Sequence, residues 1–297
     1  MTDPEGNQMS EELAAAFERE RPRLRGVAYR LLGSLTDADD VVQDAWLRLA
    51  RSDHQEVRNL GAWLTTVVAR IALDRLRARR NRREDPFEDA VLSWPEPVLS
   101  PPDALDPEQQ ALLADSVGLA LMVVLETLSP AERLAFVLHD LFAVPFAEIG
   151  PMLDRSEDAA KMLASRARRR LQGTSQSAAD TARQQEVLAA FQAAARAGDF
   201  DALVAMLHPD VEVHSDIGAR RTVGAEPAAR LSMSFRRFAR SGHPVLVNGA
   251  PGILVLPEGA PPYALLAFTV SDGLITRMDV VAAPERLARL DLSALEP

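Results

Sequence analysis

Apolar residues recur at spacings of three and four from Glu11 to about Arg83, the period of amphipathic helices. The clearest stretch sets Ala38, Val41, Val42, Ala45, Trp46 and Leu49 on one face behind Thr36 as the expected N-cap. Asp39, Asp40, Gln43, Asp44 and Arg48 fall on the opposite side, more acid than solubility requires. A second helix is expected from about Ala62 through Trp63, Leu64, Val67, Val68, Ile71 and Leu76. The pattern lapses after Glu84 and is back by Glu108. From there Leu112, Leu113, Val117, Leu121, Val124, Leu125 and Leu128 predict a helix stopped at Ser129-Pro130. Short helices are expected over 131–142 and 146–153, and a longer one from Ser156. Beyond the small polar run GTSQSAAD at Gly173 to Asp180 the period changes. Helices over 183–197 and 200–207, stopped by Gly198 and by His208-Pro209, precede strand-like runs at 211–214, 244–248, 252–256, 263–270 and 274–281. A helix around 225–239 interrupts the strands, and Asp272-Gly273 predicts a type I′ hairpin, whose turn needs positive φ. Helices followed by a curved antiparallel sheet predict a multidomain chain, with all-α modules followed by a small α+β domain.

Charge sharpens this division. The chain is acidic, with a formal net charge of -10 over 297 residues. Yet Arg70, Arg75, Arg77, Arg79, Arg80, Arg82 and Arg83 face the single acid Asp74 within one helical stretch. A second basic run holds Lys161, Arg166, Arg168, Arg169 and Arg170 against Glu157 and Asp158. Arginine clustered on a helix is the footprint of a phosphate backbone, whose neutralisation releases counterions; the competing reading is a solvated basic face. Between the clusters, Glu84 to Asp115 holds nine acids, six prolines and no base, which reads as an extended linker. There is no cysteine, so disulfides and the common cysteine zinc sites are excluded. The polar, acidic N-terminus lacks the form of a signal peptide, and no apolar run approaches the roughly 18 residues of a membrane span, so a cytoplasmic location is expected.

The segment Phe146 to Leu171 has helix-turn-helix spacing: a short helix, a turn at Asp154-Arg155, and a basic helix that Ser156 can cap. Glu157 and Asp158 suit the positive end of its dipole. Lys161, Ser165 and Arg168 are expected on one side, and Ala159, Leu163 and Ala167 on the other. Pro151, without an amide, and Asp154, at a turn site easier for glycine, fit the motif less well.

These stretches together resemble a bacterial sigma factor of the sigma-70 family, in the extracytoplasmic-function group. The resemblance is carried by RLRGVAYRLLGSLTDADDVVQDAWLRLAR at Arg23 to Arg51 and GAWLTTVVARIALDRLRARRNRRE at Gly61 to Glu84, similar to region 2. LETLSPAERLAFVLHDLFAVPFAEIGPMLDRSEDAAKMLASRARRRLQ at Leu125 to Gln172 is similar to region 4. It implies region 2 over 11–84, an acidic linker over 85–107, region 4 over 108–173, a second linker over 174–182 and a further domain over 183–297. By the same resemblance Asp39, Asp40, Gln43, Asp44 and Arg48 would dock on the beta-prime clamp helices of core RNA polymerase, with the beta flap also contacted. Asn59, Trp63, Arg70, Arg75, Arg79 and Arg80 would lie at the -10 element. Ser156, Glu157, Lys161, Ser165, Arg166, Arg168 and Arg169 would read the -35 element of promoter DNA. The linker would thread core channels otherwise filled by nucleic acid.

From Arg183 onward the chain resembles the SnoaL-like, cone-shaped α+β domain of the polyketide-cyclase superfamily. Sigma factors carrying it usually hold a Trp-Leu-Pro-Glu-Pro string in the linker, present here as Ser93-Trp94-Pro95-Glu96-Pro97 without the leucine. An Asp-Gly-Gly-Gly string is replaced by Ser215-Asp216-Ile217-Gly218, and a closing Asn-Pro-Asp-Lys-Leu pattern by Ala283-Pro284-Glu285-Arg286-Leu287. Trp94, Pro95, Glu96, Pro97, Asp216, Pro284 and Glu285 are thereby expected to join the linker to the C-terminal domain and to regulate activity in cis; whether a separate anti-sigma protein also acts stays open. His208, Asp210, His214 and Asp216 alternate as acid and base groups at a cone mouth could, although loop and edge polar residues do the same. Nothing demands a metal or cofactor. A stand-alone helix-turn-helix regulator sensing a ligand, and an enzyme with a DNA-binding appendage, are the other readings.

Overall fold

In the computed structural model the described residues are 4–52, 59–82, 95–101, 119–171, 181–217 and 220–295. Helices α1 (Pro4–Leu32), α2 (Leu35–Leu49), α3 (Leu60–Arg82), α4 (Leu119–Leu125), α5 (Pro130–Phe136), α6 (Phe146–Met152) and α7 (Glu157–Arg170) precede α8 (Thr181–Ala197) and α9 (Phe200–Met206). Helices α10 (Ala225–Ser234) and α11 (Pro284–Leu287) lie among the strands β1 (Leu99–Ser100), β2 (Leu207–Ser215), β3 (Arg220–Val223), β4 (Gly242–Val247), β5 (Ala250–Val255), β6 (Ala264–Ser271) and β7 (Leu274–Val281). The chain divides into two compact units.

The first unit holds α1–α3 and α5–α7. Gly33, at φ 73, ends α1, and α2 starts two residues later. The N-cap is Ser34, not Thr36 as expected: Ser34 is extended, so its hydroxyl accepts from Asp37 N at 3.3 Å, whereas Thr36 already lies in the first turn. The expected apolar face of α2 is buried except for Trp46, which is half-buried with its ring 5.0 Å from that of Phe17. Leu24, Val27, Leu31, Val41, Leu64, Val68 and Leu73 complete a buried core among α1, α2 and α3. Helix α5 opens with a reciprocal capping box between Ser129 and Glu132 and runs into a π-helical turn at Val137–Leu141. The single helix expected over 131–142 is thus two backbone types in succession.

The second unit is a seven-stranded sheet in the order β1-β4-β5-β6-β7-β2-β3 among the described residues. It is not wholly antiparallel as expected, because β2 joins β7 in parallel. Asp272 and Gly273 both have positive φ at the β6–β7 turn, and Asn248-Gly249 makes the same kind of turn between β4 and β5. Alternate residues face two apolar layers. One, with Val211, Val213, Ile253, Phe268 and Met278, packs under α8, α9 and α10. The other, with Val245, Val247, Leu254, Leu265 and Val281, takes in Leu99 and Leu119. The residues 95–101 and helix α4 therefore belong with this sheet.

Candidate nucleic-acid interface

Helix α2 presents Asp39, Asp40, Gln43 and Arg48 to solvent, with Asp44 half-buried. Its acids are already engaged. Arg25 donates to Asp39 at 2.7 Å, and Arg75 reaches Asp44 at 3.1 Å and Asp40 at 3.7 Å. Arg79 donates to the Leu32 carbonyl at 2.9 Å and pairs with Asp37. Arg75 and Arg79 thus fasten α3 to the α1–α2 corner. Arg70, Arg77 and Arg80 are exposed, and among the described residues Arg80 has no ion pair. Asn59 accepts from Ala62 N at 3.1 Å as the cap of α3, and Trp63, one turn on, is half-buried. Sequence reasoning passed over Leu47, which is 43% exposed on the face of Gln43 and Asp44; its apolar character pointed to the core.

In the helix-turn-helix, Ser156 caps α7 as expected, its hydroxyl accepting from Ala159 N at 3.2 Å. The turn closes through Arg155 N, which donates to the Gly150 carbonyl at 2.9 Å, with Asp154 at φ 56. A Cβ on Gly150 would stand 2.9 Å from the Arg155 oxygen, so a side chain there forces the backbone of the turn to shift. The buried face of α7 is Ala160, Ala164, Ala167 and then Leu171, with Ala159 and Leu163 half-buried. This is a rotation of the expected face, because three alanines packed against α5 and α6 outweigh one leucine.

On the outer face, Ser156, Glu157, Lys161, Ser165, Arg166, Arg168 and Arg169 are all exposed. They divide by partner. Lys161 pairs with Glu157 at 2.7 Å, Arg168 with Asp140 at 2.6 Å, and Arg170 with Glu132 at 3.1 Å. Arg166 and Arg169 have no ion pair among the described residues. For Glu132, burial pushes its pKa up, but the Ser129 hydroxyl and amide, with Arg170 and Arg166, outweigh burial and hold it below the usual carboxylate range.

The linker residues meet the C-terminal domain. Trp94 lies outside the described residues. Pro95 is buried, and its carbonyl accepts from Arg286 Nη2 at 2.9 Å. Val98 N donates to Asn248 Oδ1 at 2.7 Å, Asn248 N returns a bond to the Val98 carbonyl at 2.8 Å, and β1 pairs with β4. Glu96 and Pro97 are half-buried between these anchors. Asp216, only 2% exposed, accepts from Ala282 N and Ala283 N through one oxygen and faces Arg286 at 3.5 Å through the other. It positions the turn into α11, where Pro284 and Glu285 sit in the first turn. Arg286 and Asn248 are the contact residues that sequence reasoning missed; the Asn-Gly pair at a strand end was the available signal.

The alternating His and Asp residues do not assemble an acid–base pair. His214 Nε2 lies 2.8 Å from Glu212, and that hydrogen bond, with one from Arg221, keeps Glu212 below the usual carboxylate range despite burial. His208 Nδ1 accepts from Asp210 N, and Asp216 is spent on the turn.

A family model for Sigma-70 region 2 matches residues 16–82, and one for Sigma-70 region 4 matches 118–171. The chain is 40% identical over 295 residues to the ECF RNA polymerase sigma factor SigJ of Mycobacterium tuberculosis, covering 91% of each chain. It is 32% identical over 280 residues to the probable ECF RNA polymerase sigma factor SigI of the same species, covering 93% of this chain and 94% of that one. The crystal structure of the M. tuberculosis SigJ protein superposes with a TM-score of 0.76 at 36% identity, over 94% of this chain and 99% of that chain.

Proposed function

The chain belongs to the extracytoplasmic-function sigma factors of RNA polymerase, which direct promoter-specific transcription initiation and are not enzymes, and from that premise we propose how its surfaces divide the work. Helix α2 docks on core polymerase, the beta-prime clamp helices taking Asp39, Asp40, Gln43, Asp44 and Arg48 with Leu47 as their apolar centre, and region 4 meets the beta flap. The cations without an ion pair among the described residues do the DNA work: Arg70 and Arg80, with Asn59 and Trp63, at the -10 element, and Arg166 and Arg169, with Ser156, Glu157 and Ser165, at the -35 element. Arg75 and Arg79 serve by holding α3 in place. Lys161 and Arg168 exchange exposed ion pairs, each worth less than about 1 kcal/mol, for phosphate. The setting is the cytoplasm.

The C-terminal domain acts in cis by holding the linker. A segment that adds an edge strand to the sheet cannot at the same time lie in a polymerase channel, so capture competes with engagement. The observation that carries this reading is the reciprocal pair of hydrogen bonds between Val98 and Asn248, beside the clasp of Pro95 by Arg286.

The test of the DNA assignment is run-off transcription on genomic promoter fragments with purified core polymerase. Transcripts that need both components are expected. Arg166→Ala with Arg169→Ala should lower output tenfold or more, since a good base contact discriminates by about 1–3 kcal/mol. Undiminished transcription by that pair would refute the assignment.

A further inference from the structure

A third basic patch lies in the C-terminal domain, outside everything assigned above. From Pro227 to Pro257 the sequence has Arg230, Arg236, Arg237, Arg240 and His243 and neither aspartate nor glutamate, although acids outnumber arginines across 183–297. The structure gathers three of them on the 3-10 turn Arg236–Ser241, where Arg236, Arg237 and Arg240 are exposed, as is His243 just beyond. The turn is built, not loose. Arg196 donates to the Ala239 carbonyl at 3.0 Å and Gln192 to the Gly242 carbonyl at 2.6 Å, pinning the turn to the end of α8. Aromatic rings interleave with the charge: the Arg237 guanidinium lies 4.6 Å from the Phe238 ring centroid, Phe238 stacks on Tyr263 at 3.9 Å, and Phe235 is 43% exposed. Arg236 lies against Gly198 at the C-terminal end of α8, where a cation suits the helix dipole. That accounts for one arginine. No carboxylate pairs with Arg236, Arg237 or Arg240 among the described residues.

We propose that this patch holds the sugar-phosphate backbone of duplex DNA flanking the -35 element. Exposed guanidiniums on a fixed turn, without a carboxylate partner among the described residues, suit phosphate oxygens in any base sequence. The tether allows it: the ten residues 171–180 span at most about 35 Å, and the 17 residues of α8 add about 25 Å. From a helix seated at the -35 element the patch reaches duplex on the order of 15 base pairs away, at 3.4 Å each. Tethering converts weak contacts into effective ones by raising local concentration.

The proposal rests on the sigma-factor reading, and its test separates the two. Full-length protein and a variant combining Arg236→Glu, Arg237→Glu and Arg240→Glu are each assayed with core polymerase on two templates of one promoter. One template ends just upstream of the -35 element; the other continues for about 30 base pairs. The wild type is expected to gain output on the longer template, with the gain fading as salt rises. The variant should match the wild type on the short template and lose the gain, its log–log salt dependence on the long template shallower by about 2 to 3. A variant that keeps the gain, or a wild type that shows none, overturns the proposal. A variant weakened equally on both templates also overturns it, pointing instead to an acidic protein surface. No transcript from the wild type on either template would fell the sigma reading itself.

Discussion

Glu132 shows how one carboxylate serves both the fold and the basic helix. It closes the capping box with Ser129 and anchors Arg170, and these partners hold its pKa down against burial. A carboxylate with a depressed folded pKa adds stability that is fully present above its unfolded pKa, about 4.5, and is lost as pH falls through the folded value. Urea unfolding of the wild type and of Glu132→Gln between pH 3 and 7 should therefore show a wild-type advantage above about pH 5 that disappears in acid. An advantage independent of pH would contradict the assignment. Ser129→Ala should cost about 1 kcal/mol in the same assay. The ion pairs of Lys161 and Arg168 differ in kind: their side chains are 50% and 45% exposed, so water screens them and DNA can displace them.

The helix-turn-helix was legible because its determinants are local: a cap at Ser156, acids in the first turn and basic residues behind them. What escaped the sequence depended on neighbours. The buried face of α7 was misjudged because Ala160 and Ala164 carry little hydrophobic weight until α5 and α6 are in place. Thr36 and Ser34 are both good caps, and the choice between them was made by Gly33 ending α1. Strand β1 was hidden in a proline-rich acidic stretch that looks like pure linker; its partner β4 lies far along the chain, and no local pattern announces a two-residue edge strand. The hairpin at Asp272-Gly273 was read correctly from its turn, and the one at Asn248-Gly249 could have been. The candidate surfaces divided in the same way. Which side chains are basic was plain, but that Arg75 and Arg79 face acids of α2 needed the fold. Gly150 was unremarked in the sequence, yet Gly150→Ala would drive a Cβ into backbone at Arg155 and Ser156. It should destabilise the protein by about 1–3 kcal/mol and abolish -35 recognition, as checked by unfolding and promoter binding. A neutral effect would mean that the turn is not fixed in this form.

At the scale of the molecule, the region 2 helices α1–α3 and the region 4 helices α5–α7 form one compact unit. Buried Arg133 donates to the Arg30 carbonyl at 3.1 Å, Arg30 lies 5.0 Å from the Phe142 ring centroid, and Arg70 approaches the Pro151 carbonyl at 3.5 Å. In the proposed reading these regions bind the -10 and -35 elements, about 25 base pairs or roughly 85 Å of duplex apart. The two regions must therefore part before both can engage, and the segment between them must be free to extend. In this structure that segment is held by Asn248 and Arg286. Asn248→Gly weakens the hold: Asn248 has φ 52, which glycine adopts readily, so the turn survives while the acceptor for Val98 N is removed. The most direct test is run-off transcription at limiting core polymerase, comparing wild type with Asn248→Gly at matched concentration. Losing one net hydrogen bond of about 1 kcal/mol from the captured state predicts a rise in promoter output of about fivefold; equal or lower output from the variant would contradict control through linker capture.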